Sequence, residues 1–138
     1  MKAPVFELPI LGTPKTYQLK KDLGKVIMLT FWTSWCPDCA ADLPKKEQLY
    51  KTINKNDVKM LTINVTGRER SVDEAEAFHK KFLQQPTLSD EGTNVYDMYR
   101  CQGVPSTVII DKQGDIAAQF GDKAPFLSIV QALGRQLV

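Results

Sequence analysis

The sequence predicts an α/β chain built on a mixed β-sheet with helices on both faces. Three observations carry this. Val26-Ile27-Met28-Leu29-Thr30-Phe31-Trp32 is a nearly continuous apolar run, the pattern of a central strand covered on both sides. Strand-type and helix-type patterns alternate through the middle of the chain. Two short runs, 107–110 and 116–120, flank Asp111-Lys112-Gln113-Gly114 and read as a closing hairpin ahead of a last helix.

The elements follow in order. Residues 5–8 and 16–19 read as short extended pieces joined by the turn Leu11-Gly12-Thr13-Pro14. After the central strand a helix is expected from Cys36 to about Asn54. Pro37 suits its first turn, where a missing N–H costs nothing, and Pro44 is expected to kink it. Residues 58–65 place Leu61, Ile63 and Val65 in alternation, a second strand. Ser71-Val72-Asp73-Glu74 is a capping box. It opens a helix with Val72, Ala75, Phe78 and Phe82 as the expected buried stripe. Pro86-Thr87-Leu88 reads as a short strand, and Val95, Met98 and Tyr99 mark a short helix after Gly92. Pro125 opens the last helix, with Phe126, Val130, Leu133 and Leu137 on one face.

With 138 residues and no repeat, linker or low-complexity stretch, the chain is expected to be one domain, residues 1–138. Apolar residues make up 43% and charged residues 25%, a globular composition. The 18 Lys and Arg against 16 Asp and Glu leave a net charge of +2. That excess is too weak for a nucleic-acid footprint. The pairs Lys20-Lys21, Lys45-Lys46 and Lys80-Lys81 read as solvated helix faces. No apolar run is long enough to span a bilayer. Met1-Lys2 leads straight into Ala3-Pro4-Val5-Phe6, which does not read as a signal peptide.

Three cysteines are too few for a disulfide scaffold. Trp35-Cys36-Pro37-Asp38-Cys39 instead sets a C-x-x-C between a buried strand and a helix. There Cys36 meets unpaired N–H groups and the positive end of the helix dipole, which favour an anion. An exposed thiol of this kind attacks as the thiolate. Cys39, one turn on and pointing inward, is placed to resolve the mixed disulfide. The alternative is a metal module: zinc held by Cys36, Cys39, Cys101 and His79, or copper carried between Cys36 and Cys39. Structural zinc sites pair their ligands tightly, and only one tight pair exists here. Gly103-Val104-Pro105-Ser106-Thr107 is a second signal. A proline directly before an apolar strand fits either a cis bond in a tight turn or a trans strand entry.

Phe31-Trp32-Thr33-Ser34-Trp35-Cys36-Pro37-Asp38-Cys39, then Pro44, then Val104-Pro105-Ser106-Thr107 resemble the thioredoxin superfamily. Ala3-Pro4-Val5-Phe6-Glu7-Leu8, Lys20-Lys21-Asp22-Leu23-Gly24-Lys25 and the extra segment 67–90 resemble the TlpA/ResA-like thiol-disulfide oxidoreductases. These belong to the redoxin (AhpC/TSA) group that also holds the peroxiredoxins. The resemblance runs from about Ala3 to Leu137. It implies a thioredoxin fold with an N-terminal β extension and a central αβ insertion. It also implies Cys36 as attacking thiol, Cys39 as resolving thiol and Pro105 as the cis-proline facing them. The backbone of Val104 would pair with an extended substrate segment. Trp35 and Pro37 would line the substrate surface, with Trp32 packed below.

Thioredoxins carry a buried Asp where this chain has Thr30. The TlpA/ResA-like group places an acid three residues after the second Cys, and Asp42 stands there. The resemblance implies that Asp42 accepts the Cys39 proton. The alternative is a solvated acid near a helix start. Asp38 puts a negative charge beside Cys36 and works against the dipole, which points to a reductant. Cys101 reads as a small buried hydrophobe, and His79 as a surface or half-buried residue.

The implied activity is thiol-disulfide exchange with protein dithiols and disulfides in bacterial redox homeostasis. It needs no cofactor and no metal, a redox partner recycles the pair, and the chain is expected to be a monomer. A thiol peroxidase is the alternative: Thr33-Ser34-Trp35-Cys36 matches half of the P-x-x-x-T-x-x-C pattern, but Leu29 replaces its proline. The group's members sit outside the cytoplasm on an N-terminal tether. The same setting is favoured here, with the tether upstream of these residues, and a cytoplasmic location is the alternative.

Overall fold

The computed structural model describes residues 1–138. Strands β1 (Glu7–Pro9) and β2 (Thr16–Gln18) form an antiparallel hairpin. A five-stranded sheet follows, built from β3 (Val26–Trp32), β4 (Val58–Asn64), β5 (Thr87–Ser89), β6 (Ser106–Ile110) and β7 (Ile116–Phe120). Its order is β5-β4-β3-β6-β7. β3, β4 and β5 run parallel, while β6 and β7 are antiparallel to their neighbours. The helices are α1 (Pro37–Thr52), α2 (Val72–Phe82), α3 (Asn94–Met98) and α4 (Phe126–Arg135). This is the expected order of elements, with two 3-10 turns added at Leu19–Asp22 and Thr66–Arg68.

β3 lies at the centre because all seven of its residues are buried. Its side chains from Val26 to Leu29 alternate between two apolar clusters. Ile27, Leu29 and Phe31 join Leu61, Ile63, Val108 and Ile110 in the larger one. Val26 and Met28 join Val58, Met60, Ile109 and α4 in the other. The N-terminal extension closes an edge: Ile10 bridges Leu88, and the Leu11 N–H bonds the Thr87 carbonyl at 2.9 Å.

Several details differ from the sequence expectations. β1 starts at Glu7 instead of residue 5, because its ladder partner β2 ends at Gln18, opposite Glu7. β2 ends at Gln18, and Leu19 turns inward as the first residue of a 3-10 turn. α2 begins after the expected Ser71 cap, whose hydroxyl accepts from the Glu74 N–H at 3.2 Å. Its buried stripe is narrower, with Ala75 buried, Phe78 half-buried, and Val72 and Phe82 exposed. In α4 the inward residues are Ile129, Ala132 and Leu133, while Leu137 lies past the helix end and is exposed. Lys46 is the largest departure. It is not solvated but fully buried on α1.

Candidate active site

α1 starts on the C-x-x-C. Cys36 is its N-cap in an extended conformation, and Pro37 takes the first helical position. The Cys39 N–H donates to Cys36 Sγ at 3.1 Å, so the sulfur sits where the helix presents free donors. The Cys36 thiol in turn donates to the Val104 carbonyl at 3.5 Å. The Val104–Pro105 bond is cis, the first of the two arrangements the sequence left open. Gly103 before it holds φ at +145°, a region that side-chain-bearing residues rarely adopt. Cys36 is therefore more covered than expected: only 5% of it is exposed, under the loop that carries Val104.

Cys39 is fully buried. Burial pushes its thiol well above the ordinary range; the hydrogen bond with Cys36 adds to this, the Asp42 charge contributes a little, and a bond to the Thr33 backbone opposes it. Both cysteines are free thiols.

Asp42 stands one turn beyond Cys39 with its side chain 15% exposed. It is not a solvated helix acid. Its carboxylate meets Lys46 Nζ at 2.9 Å, and Nζ also donates to Thr107 Oγ1 on β6 at 2.5 Å. Burial pulls the Lys46 ammonium below its usual range, while the Asp42 charge and hydrogen bond oppose that shift. Thr30, in register with Thr107 and Thr62, is buried, and its hydroxyl has no partner. An opening lined by Asp38, Asp42, Lys45, Pro105, Thr107 and Asp122 reaches this pair from solvent.

The loop before Cys36 is held from the insertion. Glu69 accepts from the Ser34 N–H at 2.8 Å, the Ser34 hydroxyl at 2.6 Å and Asn64 Nδ2 at 2.6 Å. Trp35 Nε1 donates to the Arg68 carbonyl at 2.6 Å, and the Arg70 guanidinium lies 5.6 Å from the Trp35 ring centre. Trp35 thus stays 38% exposed beside the cysteines. Trp32 packs beneath, fully buried, with its ring 5.0 Å from Phe78. Glu69→Ala is expected to lower stability by about 1–3 kcal/mol, since it orphans donors on a part-buried loop. Urea unfolding checks this, and a red-shifted Trp35 emission should accompany the loss.

The sequence pointed to Cys36, Cys39, Trp35, Asp42, Val104 and Pro105, and these meet around the start of α1. Lys46, Glu69 and Thr107 were missed as parts of this arrangement. For Lys46 a signal existed: counting from Cys39, residues 43, 46 and 47 are the inward positions of a helix. The four residues of the zinc alternative do not converge, as no group of three or more His, Cys, Asp and Glu side chains could hold a metal ion. Cys101 packs half-buried against the core, its thiol pushed up to about 12 by burial. His79 is half-buried, which lowers its proton affinity.

The sequence profile of the AhpC/TSA family matches residues 1–119. The thiol-disulfide oxidoreductase ResA of Halalkalibacterium halodurans is 30% identical over 103 residues, 74% of this chain and 57% of that protein. Sporulation thiol-disulfide oxidoreductase A of Bacillus subtilis is 30% identical over 94 residues, 67% of this chain and 57% of that one. The crystal structure of StoA from Bacillus subtilis shares the fold at a TM-score of 0.80 and 23% identity, covering 94% of this chain and 96% of that one. The chain spans about three-fifths of the length of the curated relatives it matches. By the match over residues 1–119, and with the thioredoxin fold it shares with its structural neighbours, the chain belongs to the AhpC/TSA family.

Proposed function

We propose that the chain is a thiol-disulfide oxidoreductase that reduces disulfides in protein substrates through Cys36 and Cys39. The observation that carries this reading is the pair of free thiols one turn apart at the start of α1. The outer sulfur accepts a helix N–H, and the inner thiol is kept protonated by burial.

Cys36 attacks as the thiolate, forms a mixed disulfide with one substrate sulfur and releases the other as a thiolate. Asp42 then takes the proton from Cys39. The Cys39 thiolate attacks Cys36 Sγ, the Cys36–substrate bond breaks, and the second substrate sulfur leaves with the electron pair and is protonated. The two electrons that reduce the substrate come from the Cys36–Cys39 dithiol. The sulfurs are the redox group, so the step uses no cofactor. Trp35, Pro37 and Val104 flank Cys36 and form the surface that receives an extended substrate segment, with Pro105 shaping its edge. Asp38, exposed in the first turn of α1, sets a negative charge against the helix dipole. A negative charge at this place beside the cysteine pair supports the reductant direction of the exchange.

The chain works as a single monomeric domain, and a second dithiol protein recycles the pair. Its setting is outside the bacterial cytoplasm, where protein disulfides persist. No helix is long and apolar enough to cross a membrane, so any tether is separate from these elements.

Reduced protein mixed with insulin should reduce one disulfide per chain and end as the intramolecular Cys36–Cys39 disulfide, read by mass after alkylation. Hydrogen peroxide consumed faster than insulin disulfides would replace this reading with a peroxidase.

A further inference from the structure

Lys46 is the one lysine buried completely in the chain. An ammonium in that position costs several kcal/mol unless its charge and donors are matched. Two groups match it, the Asp42 carboxylate at 2.9 Å on its own helix and Thr107 Oγ1 at 2.5 Å on the facing strand. Lys46 also lies close enough to Cys39 for a negative charge there to favour its ammonium form. By linkage the ammonium favours the Cys39 thiolate equally. Glu47, the next residue, faces elsewhere: its carboxylate is taken up by Gln84 and Gln85. Asp38, Lys45 and Asp122 sit at the solvent mouth.

We propose that Lys46 is a positioning residue for the resolving step: it fixes Asp42 against β6 beneath Cys39 and supplies the buried positive charge that offsets the Cys39 thiolate. This rests on the exchange reading above. Before the proton moves, the site holds a neutral Cys39, a carboxylate and an ammonium. Afterwards it holds a thiolate, a neutral Asp42 and the same ammonium. The net charge is unchanged, and a cation faces the anion in both states. With an apolar residue at position 46, the site would carry one uncompensated negative charge before and after transfer. The newly formed thiolate would lie in the drier position, since Cys39 is fully buried and Asp42 is not.

The test is stopped-flow measurement of both exchange steps across pH 5–9 in wild type, Lys46→Met and Thr107→Val. Alkylation of Cys39 is followed in the same backgrounds carrying Cys36→Ser. Lys46→Met should slow resolution about tenfold or more and move its pH profile to higher pH, with slower Cys39 alkylation at each pH. The first attack should change by less than about threefold, because Cys36 takes its stabilisation from the helix N–H groups. Thr107→Val, a near-isosteric swap on a strand, should slow the same step in the same direction by a smaller factor. It decides the matter if Lys46→Met does not fold. Unchanged resolution in the folded variants would overturn the proposal. If wild type itself makes no exchange, the parent reading falls as well. If Asp42→Asn slows resolution but neither Lys46→Met nor Thr107→Val does, only the role of Lys46 falls.

Discussion

Cys36→Ser is expected to reduce the rate of disulfide reduction by more than about a hundredfold, and Cys39→Ser to halt the reaction halfway with substrate attached. No other thiol can stand in for Cys36. Cys39 is fully buried and its thiol is held protonated by that burial. Cys101 is half-buried with its thiol pushed up to about 12, so almost none is thiolate near neutrality. Cys36 alone combines contact with a helix N–H and a place beside the exposed Trp35 and the Val104 carbonyl. Insulin turbidity gives the rates, and non-reducing electrophoresis shows the trapped adduct. Equal activity in wild type and Cys36→Ser would remove the cysteine pair from the account.

Asp42→Asn is expected to slow the resolving step by about tenfold to a thousandfold, the range for losing acid–base help. The sign of its pH dependence follows from Cys39. Burial raises that thiol above its ordinary range, which favours the protonated form near neutrality. With Asp42 as the proposed base, resolution in wild type should not depend on hydroxide. In Asp42→Asn only solvent can take the proton, and the rate should climb by about tenfold per pH unit. The substitution keeps an oxygen for Lys46 Nζ but removes the charge that matches it, so urea unfolding of the variant accompanies the kinetics. Stopped-flow tryptophan fluorescence separates the two steps, and the first attack should be nearly unaffected. A wild-type pH profile retained in Asp42→Asn would leave Asp42 as a partner of Lys46 and nothing more.

The sheet was legible because burial leaves a period in sequence. The run Val26–Trp32 suits a strand covered on both faces, and it is buried along its whole length. Cys36 and Cys39 were legible because a cysteine pair between a buried strand and a helix is rare enough to stand out, whereas Pro105 alone left cis and trans open and its place beside them came from the family resemblance. Element edges were less so: Val5, Val72, Phe82 and Leu137 are apolar yet exposed, and no local pattern separates such residues from core. The polar interior was hardest to read. Lys46 sits beside Lys45 in what looks like a solvated pair, and only its distance from Cys39 along the helix places it inward. Its acceptor Thr107 is 61 residues away, and Ser34 and Glu69, which fix the loop before Cys36, are 35 apart. Such partners are set by the crossing of β3, β4 and β6, which sequence spacing does not encode.

The most direct test is to react Cys39→Ser with an oxidised protein substrate and locate the adduct by peptide mass spectrometry. A substrate disulfide is expected on Cys36 and on no other cysteine. An adduct on Cys101, or none at all while wild type still reduces the same substrate, would contradict Cys36 as the attacking thiol.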